Sequence, residues 1–357
     1  MESPAPRLEP TDDPRALQRA LSAYRAPLLA RSIFELGVTV IPFALFWFLT
    51  WASVNAGHWL GLALTIPAAG FLVRMFMIQH DCGHGSFFPS RRANDWVGRA
   101  LGVLTLTPYD FWRYTHALHH AHSGNLDRAH VGGIETLSVR EYQALPWARR
   151  LRYRLYRHPL ILFGLGPVYL FVLHNRVPAG FMRAGWMPWL STMGTNAAIV
   201  LVAITMMTLM GAGTFLLVHL PVMVLAASIG VWLFYVQHQF ENTRWARNEE
   251  WSFHETALYG SSYYELPALL RWITANIGAH HIHHLASRIP SYRLPEVLRD
   301  HPRLRKISCI TLRQSVQCAR LGLWDEEQQR LTPIPREGRM GELKHHDNHR
   351  LPYRSPM

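Results

Sequence analysis

Charge is scarce in this sequence. Asp, Glu, Lys and Arg make up 17% of its 357 residues, against roughly 25% in an ordinary soluble domain. Lysine is almost missing, with only Lys306 and Lys344, so arginine carries the net charge of +12. No charged residue at all falls between Ala184 and Phe240, a run long enough for two membrane crossings of about 20 residues each. Cysteine is sparse too. Cys82, Cys309 and Cys318 form no C-x-x-C pair, which excludes a zinc knuckle or an iron–sulfur cluster encoded by this chain. No nucleic-acid-binding motif is visible; a basic membrane face accounts for the arginines, and no nucleic acid is expected as a partner. There is no internal repeat and no second soluble domain.

What the sequence does hold is histidine in tight clusters: His80 and His84; His116, His119 and His120; His280, His283 and His284. The spacings are H-x-x-x-H, H-x-x-H-H and H-x-x-H-H. Residues three and four apart share a helix face, so each cluster is expected to aim its imidazoles at a common point. A lone histidine near apolar residues is usually a satisfied polar group; three compact clusters are not explained that way. Eight imidazoles exceed the needs of one ion and point to two.

The apolar runs place these clusters. Residues 33–51 and 59–78 carry one charge each, Glu35 and Arg74, and form a first hairpin; the charge-free stretch supplies spans over 197–220 and 221–236, turning near His219-Leu220-Pro221. The expected fold is an all-α integral membrane protein of four transmembrane helices in two hairpins, with a helical cap holding a di-metal site. A polar leader of some 30 residues precedes the first apolar run, so no signal peptide is expected. Between the hairpins, residues 79–183 hold thirteen Arg and six acidic residues. The positive-inside rule puts this segment, both termini and all three histidine clusters in the cytoplasm. Leu160–Leu173 is too short to span and reads as interfacial or re-entrant. Asp95–Leu106 and Tyr263–Ile277 read as amphipathic helices on the bilayer. Residues 1–30 and 326–357 flank the membrane domain, 31–325, as polar segments; within them Met1–Pro27 and Leu331–Met357 are expected to be disordered or loosely attached, and the tail histidines His345, His346 and His349 read as solvated.

Imidazole suits zinc, copper, iron and nickel alike. Two redox ions at a membrane surface can activate dioxygen and attack an unactivated C–H bond, which hydrolytic zinc cannot. The residues alone therefore lead to a di-metal oxidase of lipid-like substrates.

At this point the motifs carry a resemblance. His80-Asp81-Cys82-Gly83-His84-Gly85-Ser86, His116-Ala117-Leu118-His119-His120 and Gly278-Ala279-His280-His281-Ile282-His283-His284-Leu285 resemble the three histidine boxes of the membrane fatty acid desaturases, and are most similar to the bacterial acyl-lipid group that includes Δ12 enzymes. The resemblance extends through Arg288–Glu296 and Phe234–Glu241, and covers about residues 30–325. It implies two iron ions held by the box histidines, with one further histidine after the fourth span. His238 occupies that position, while spacing alone leaves His254 open. It further implies dioxygen as co-substrate, a fatty acyl lipid as substrate and a cis double bond as product. His158-Pro159 is followed by Leu160-Ile161, so the His-Pro-Gly-Gly motif of a fused cytochrome domain is absent and a separate carrier, a ferredoxin with its reductase, is expected. The arginine bias suggests a bacterial plasma membrane. Asp81, Glu241 and His281 are candidates for orienting the ligand imidazoles, and His122 faces another side of its helix. Phe111, Trp112, Tyr114, Trp232 and Tyr235 are candidates for lining an acyl tunnel. Two alternatives stand beside this reading: a hydroxylase or ketolase of the same iron superfamily, and a metal-binding transporter. The alkane hydroxylases carry Glu-containing boxes that this chain lacks, and transporters place their ligands near the bilayer midplane.

Overall fold

A computed structural model describes residues 14–128 and 133–335. The tail histidines His345, His346 and His349 lie outside the described residues. Among the described residues, four helices are long and apolar enough to cross a membrane: Leu29–Asn55, Trp59–Gly83, Trp186–Met210 and Ala212–His238. They form two hairpins, as the apolar runs predict. The second span sits at the centre of the bundle, with half of its most apolar stretch buried, whereas none of the third span's is. The third span therefore lies at the edge of the bundle, touching the core through Ala203, Met206, Met207 and Met210.

The charges noted in the first two spans neutralise each other. Buried Arg74 binds the Glu35 carboxylate, donates through Nε to Thr39 Oγ1 at 3.0 Å, and donates to the Trp272 carbonyl; Arg31 closes on Glu35 from the same helix at 2.6 Å. A charge at membrane depth is tolerated when paired and fully hydrogen-bonded in this way.

The second hairpin turns about ten residues earlier than expected. The third span ends at Met210 and the fourth starts at Ala212, with Gly211 between them at φ +82°. That left-handed backbone favours glycine, and no charged residue marks the turn in the sequence. His219-Leu220-Pro221, the expected turn, lies inside the fourth helix, where the proline is tolerated because neighbouring groups satisfy the freed backbone.

The box residues sit on or just after the cap-side ends of the spans and on short helices beyond them. Arg91–Leu104 is helical, capped by Ser90, and Tyr109–His122 carries the second box. Gly98 and Gly102 let these helices approach closely, since a Cβ on Gly98 would fall 2.2 Å from the Tyr109 ring. The Tyr109 hydroxyl donates to the Cys82 carbonyl at 2.8 Å, tying the second box to the first. The segment around Leu160–Leu173 is irregular helix that bends by 56° against Trp147–Tyr156, consistent with a re-entrant reading.

Three expectations are corrected. Tyr263–Ile277 is not one amphipathic helix: Tyr263–Glu265 is strand β2, paired in parallel with β3 (Cys309–Thr311), and only Ala268–Ile273 is helical. Pro267 interrupts the helical pattern, and the β-prone Tyr263-Tyr264 pair finds a partner far along the chain. The leader is not loosely attached throughout, because Pro14–Leu21 is a helix whose Leu21 is fully buried against the third-box region, with Gln18 donating to the Leu285 carbonyl at 2.8 Å. Nor does the polar tail begin at 326. Leu321–Asp325 (β4) pairs antiparallel with Arg330–Pro333 (β5), and β4 also pairs in parallel with Leu137–Ser138 (β1). These small sheets sit within a structure that is otherwise helical.

Candidate metal centre

Nine imidazoles converge in two groups. His80, His84, His116, His120 and His283 form the first; His119, His238, His280 and His284 form the second; within each group the ligand nitrogens lie within 4.8 Å of one another. The expectation that each box aims at one point holds only for the first box. In the second, His116 and His120 serve one group and His119 the other; in the third, His280 and His284 serve the second group and His283 the first. The cause is helical geometry. Positions i and i+4 overlie one another, while i+3 is rotated about 60° away, so an H-x-x-H-H box straddles both groups. His120 and His284, one from each group, stack with ring centroids 4.1 Å apart.

His238, the last residue of the fourth span, reaches His119 and His280 through Nε2 contacts of 3.2 and 3.0 Å. His254 instead contacts Gln18 and belongs to neither group.

The residues fit a pair of metal ions on three counts. First, neighbouring Nε2 atoms within each group stand 3.0–3.2 Å apart, close to the edge of a shell with nitrogen bonds of about 2.1 Å at right angles. Second, the imidazoles are kept neutral, as ligands must be. Burial first, then repulsion from neighbouring imidazoles, holds His84, His116, His119, His120, His280, His283 and His284 well below 6.5. Third, these nitrogens face one another with no carboxylate among them, an arrangement that a shared cation satisfies and that imidazoles alone do not.

The surrounding shell is partly as expected. Asp81 Oδ1 lies 3.4 Å from His80 Nδ1, and its Oδ2 accepts the Ser291 backbone N–H at 2.7 Å. His281 turns away and meets the Leu304 carbonyl at 2.9 Å; it braces the cap and touches neither group. Glu241 is corrected: it lies exposed at the surface, paired with Arg330 at 3.0 Å, because the helix ends at His238 and the chain leaves the site.

A cavity of about 580 Å3 runs from His80, His116 and His280 between the second and fourth spans. Of the aromatic candidates, Trp112 and Phe111 line it. Trp112 stacks on His116 at 4.6 Å, and its ring occupies the space a Cβ on Gly83 would need. The others are corrected. Tyr114 is half exposed against Phe181; Trp232 contacts the Tyr264 hydroxyl; Tyr235 is fully buried and donates to the Leu321 carbonyl at 2.6 Å. Sequence reasoning missed Leu72 and Phe76, which line the cavity. The signal was present: both lie at i−4 steps from His80, on the ligand's own helix face.

Fold and site together define a class: helical integral membrane proteins with paired histidine groups able to hold metal at the mouth of an apolar cavity. Within that class, a family model described as "Fatty acid desaturase" matches residues 57–314. The chain is 44% identical over 313 residues to a fatty acid desaturase of Bacillus subtilis (strain 168), covering 88% of each chain. It is also 32% identical over 235 residues to the sn-1 acyl-lipid omega-3 desaturase (ferredoxin) of Synechocystis sp. (strain ATCC 27184 / PCC 6803 / Kazusa), 62% of this chain and 61% of that one. To the sn-1 oleoyl-lipid 12-desaturase of the same organism it is 25% identical over 300 residues, 78% and 75% of the two chains. This chain belongs to the fatty acid desaturase family. Its activity is that of an oxidoreductase placing a double bond in a fatty acyl chain.

Proposed function

We propose that the two histidine groups hold two iron ions and that the enzyme desaturates acyl chains of membrane lipids, taking electrons from a ferredoxin. The observation that carries this reading is the union of five and four converging imidazoles with an acyl-sized apolar cavity that ends on them. His80, His84, His116, His120 and His283 would hold one ion; His119, His238, His280 and His284 the other. When bound, the iron pair supplies the redox centre for dioxygen reduction and C–H cleavage; the protein supplies position, electronics and exclusion of water. The balance is one saturated CH2–CH2 unit, one dioxygen, two electrons and two protons, giving one cis double bond and two waters.

The chain's own residues do the positioning. Asp81, held by the Ser291 amide, fixes the His80 ring by accepting from its Nδ1. Trp112 and Phe76 flank the reacting stretch of the chain, packed edge to face at 5.5 Å. The apolar walls keep solvent from the methylenes while they react. A lipid substrate and a ferredoxin donor are supported by the named activity of the Synechocystis omega-3 relative. The thirteen arginines between the hairpins support a cap on the cytoplasmic side of a bacterial plasma membrane. The test is expression in a host without polyunsaturated lipids, followed by gas chromatography of total acyl chains. New cis-unsaturated products that disappear in His284→Ala support the reading; hydroxylated products would replace it with the hydroxylase alternative.

A further inference from the structure

The histidines are reached by two cavities. The large one touches His80, His116 and His280. A second, of about 30 Å3, touches His119 and His238, with Ser123, Gln239 and Trp245 in its wall. Phe234 alone lines both, and its ring lies 5.1 Å from His119 and 5.3 Å from His238. It stands as a partition between the two spaces. Among the described residues, His122, Gly133 and Ile134 line the small cavity and are each partly exposed, so this side communicates with solvent. A single water needs roughly 10–15 Å3 of such space. The cavity therefore takes two waters or one dioxygen molecule and no methylene chain.

Desaturation, as proposed above, consumes a gas and releases water while an acyl chain fills the large cavity. A chain seated there covers the histidines from that side. We propose that the small cavity is a separate port through which dioxygen reaches the second histidine group and water leaves it, with Phe234 dividing it from the acyl chain. This inference rests on the desaturase reading. Ile134 is the residue whose enlargement would narrow the port, because it belongs to the rim and touches no ligand histidine in the contacts above.

The experiment uses the full chain in lipid nanodiscs, metal-loaded, comparing Ile134→Trp with Ile134→Ala. Steady-state kinetics should show KM for dioxygen raised about fivefold or more in Ile134→Trp, with KM for the acyl lipid within twofold of the unsubstituted chain. A readout independent of turnover is the rate of azide binding to the oxidised centre, followed by its absorption. With substrate lipid bound, azide should still bind fast to the unsubstituted protein and at least fivefold more slowly to Ile134→Trp. Azide binding abolished by substrate lipid in the unsubstituted protein would overturn the port, since small molecules would then share the acyl cavity. An unchanged KM for dioxygen in folded, loaded Ile134→Trp would overturn it as well. If that variant fails to fold, Ile134→Cys is labelled after purification with a bulky thiosulfonate. Its background carries Cys309→Ala, because Cys309 is exposed while Cys82 and Cys318 are buried. The same slowing of azide is expected, and its absence counts against the port. Absence of any desaturated product from the unsubstituted chain would sink the desaturase reading while leaving the azide rates to report on the port.

Discussion

At the scale of single residues, the centre depends on where each imidazole points along its helix. In H-x-x-H-H the first and last histidines overlie one another and the middle one is turned aside, so two such boxes facing each other distribute their nitrogens over two groups. Replacing His84, His120 or His284 with Ala should therefore lower activity at least about 100-fold while the protein still inserts in the membrane, because the apolar spans drive insertion; assays on purified membranes check both. His238→Ala should lower metal content and activity together, whereas His254→Ala, which loses only a contact to Gln18, should leave metal content unchanged. Asp81→Asn, which weakens the hold on His80, should cost roughly 10–100-fold in metal affinity or activity. His281→Ala and His122→Ala should be milder. Acid sensitivity follows from the depressed imidazole pKa values. In the metal-free protein, an unfolded chain binds protons below about 6.5 that the folded cluster refuses. Stability should be flat above that pH and fall as pH drops below it. Denaturant midpoints of chelator-treated protein across pH 7.5 to 5.5 check this; a midpoint that rises on acidification would contradict it.

At the scale of elements, the structure is legible in the sequence wherever periodicity or composition speaks locally. The four spans and the second-box helix follow from apolar runs and three-and-four spacing. The turn at Gly211 was missed because a charge-free run holds no polar marker, and proline draws attention that glycine's positive φ does not. Leu21→Ala should free the Pro14–Leu21 helix from the cap, since deleting a fully buried leucine costs about 2–5 kcal/mol; limited proteolysis should then cleave near residue 20 faster. Strands β1 to β5 were not legible, because β1 pairs with β4 across nearly two hundred residues of chain and local pattern carries no trace of that partner. Among site residues, the converging histidines were readable and most cavity walls were not. Trp232 and Tyr235 share a helix with His238 but face other directions, while Phe234, four residues before it, faces the site.

At the scale of the whole molecule, the bundle sets a histidine centre at the cap-side ends of its spans, with the apolar cavity running from it between the second and fourth spans. The three cysteines form no cluster with which to store electrons, and in the proposed reaction these come from a separate carrier docking on the arginine-rich cap. With an acidic ferredoxin held subsaturating, turnover should fall as ionic strength rises, because exposed charges are screened within roughly 10 Å at 0.1 M salt; a rate indifferent to salt would mean apolar docking. Nine histidines are proposed to hold two irons at which an acyl chain is desaturated. Elemental analysis of the purified, active protein, made alongside product analysis of the same sample, tests this most directly. Two irons per chain are expected, falling together with cis-unsaturated product in His238→Ala. One metal per chain, or zinc in place of iron in a preparation that still desaturates, would contradict the proposal.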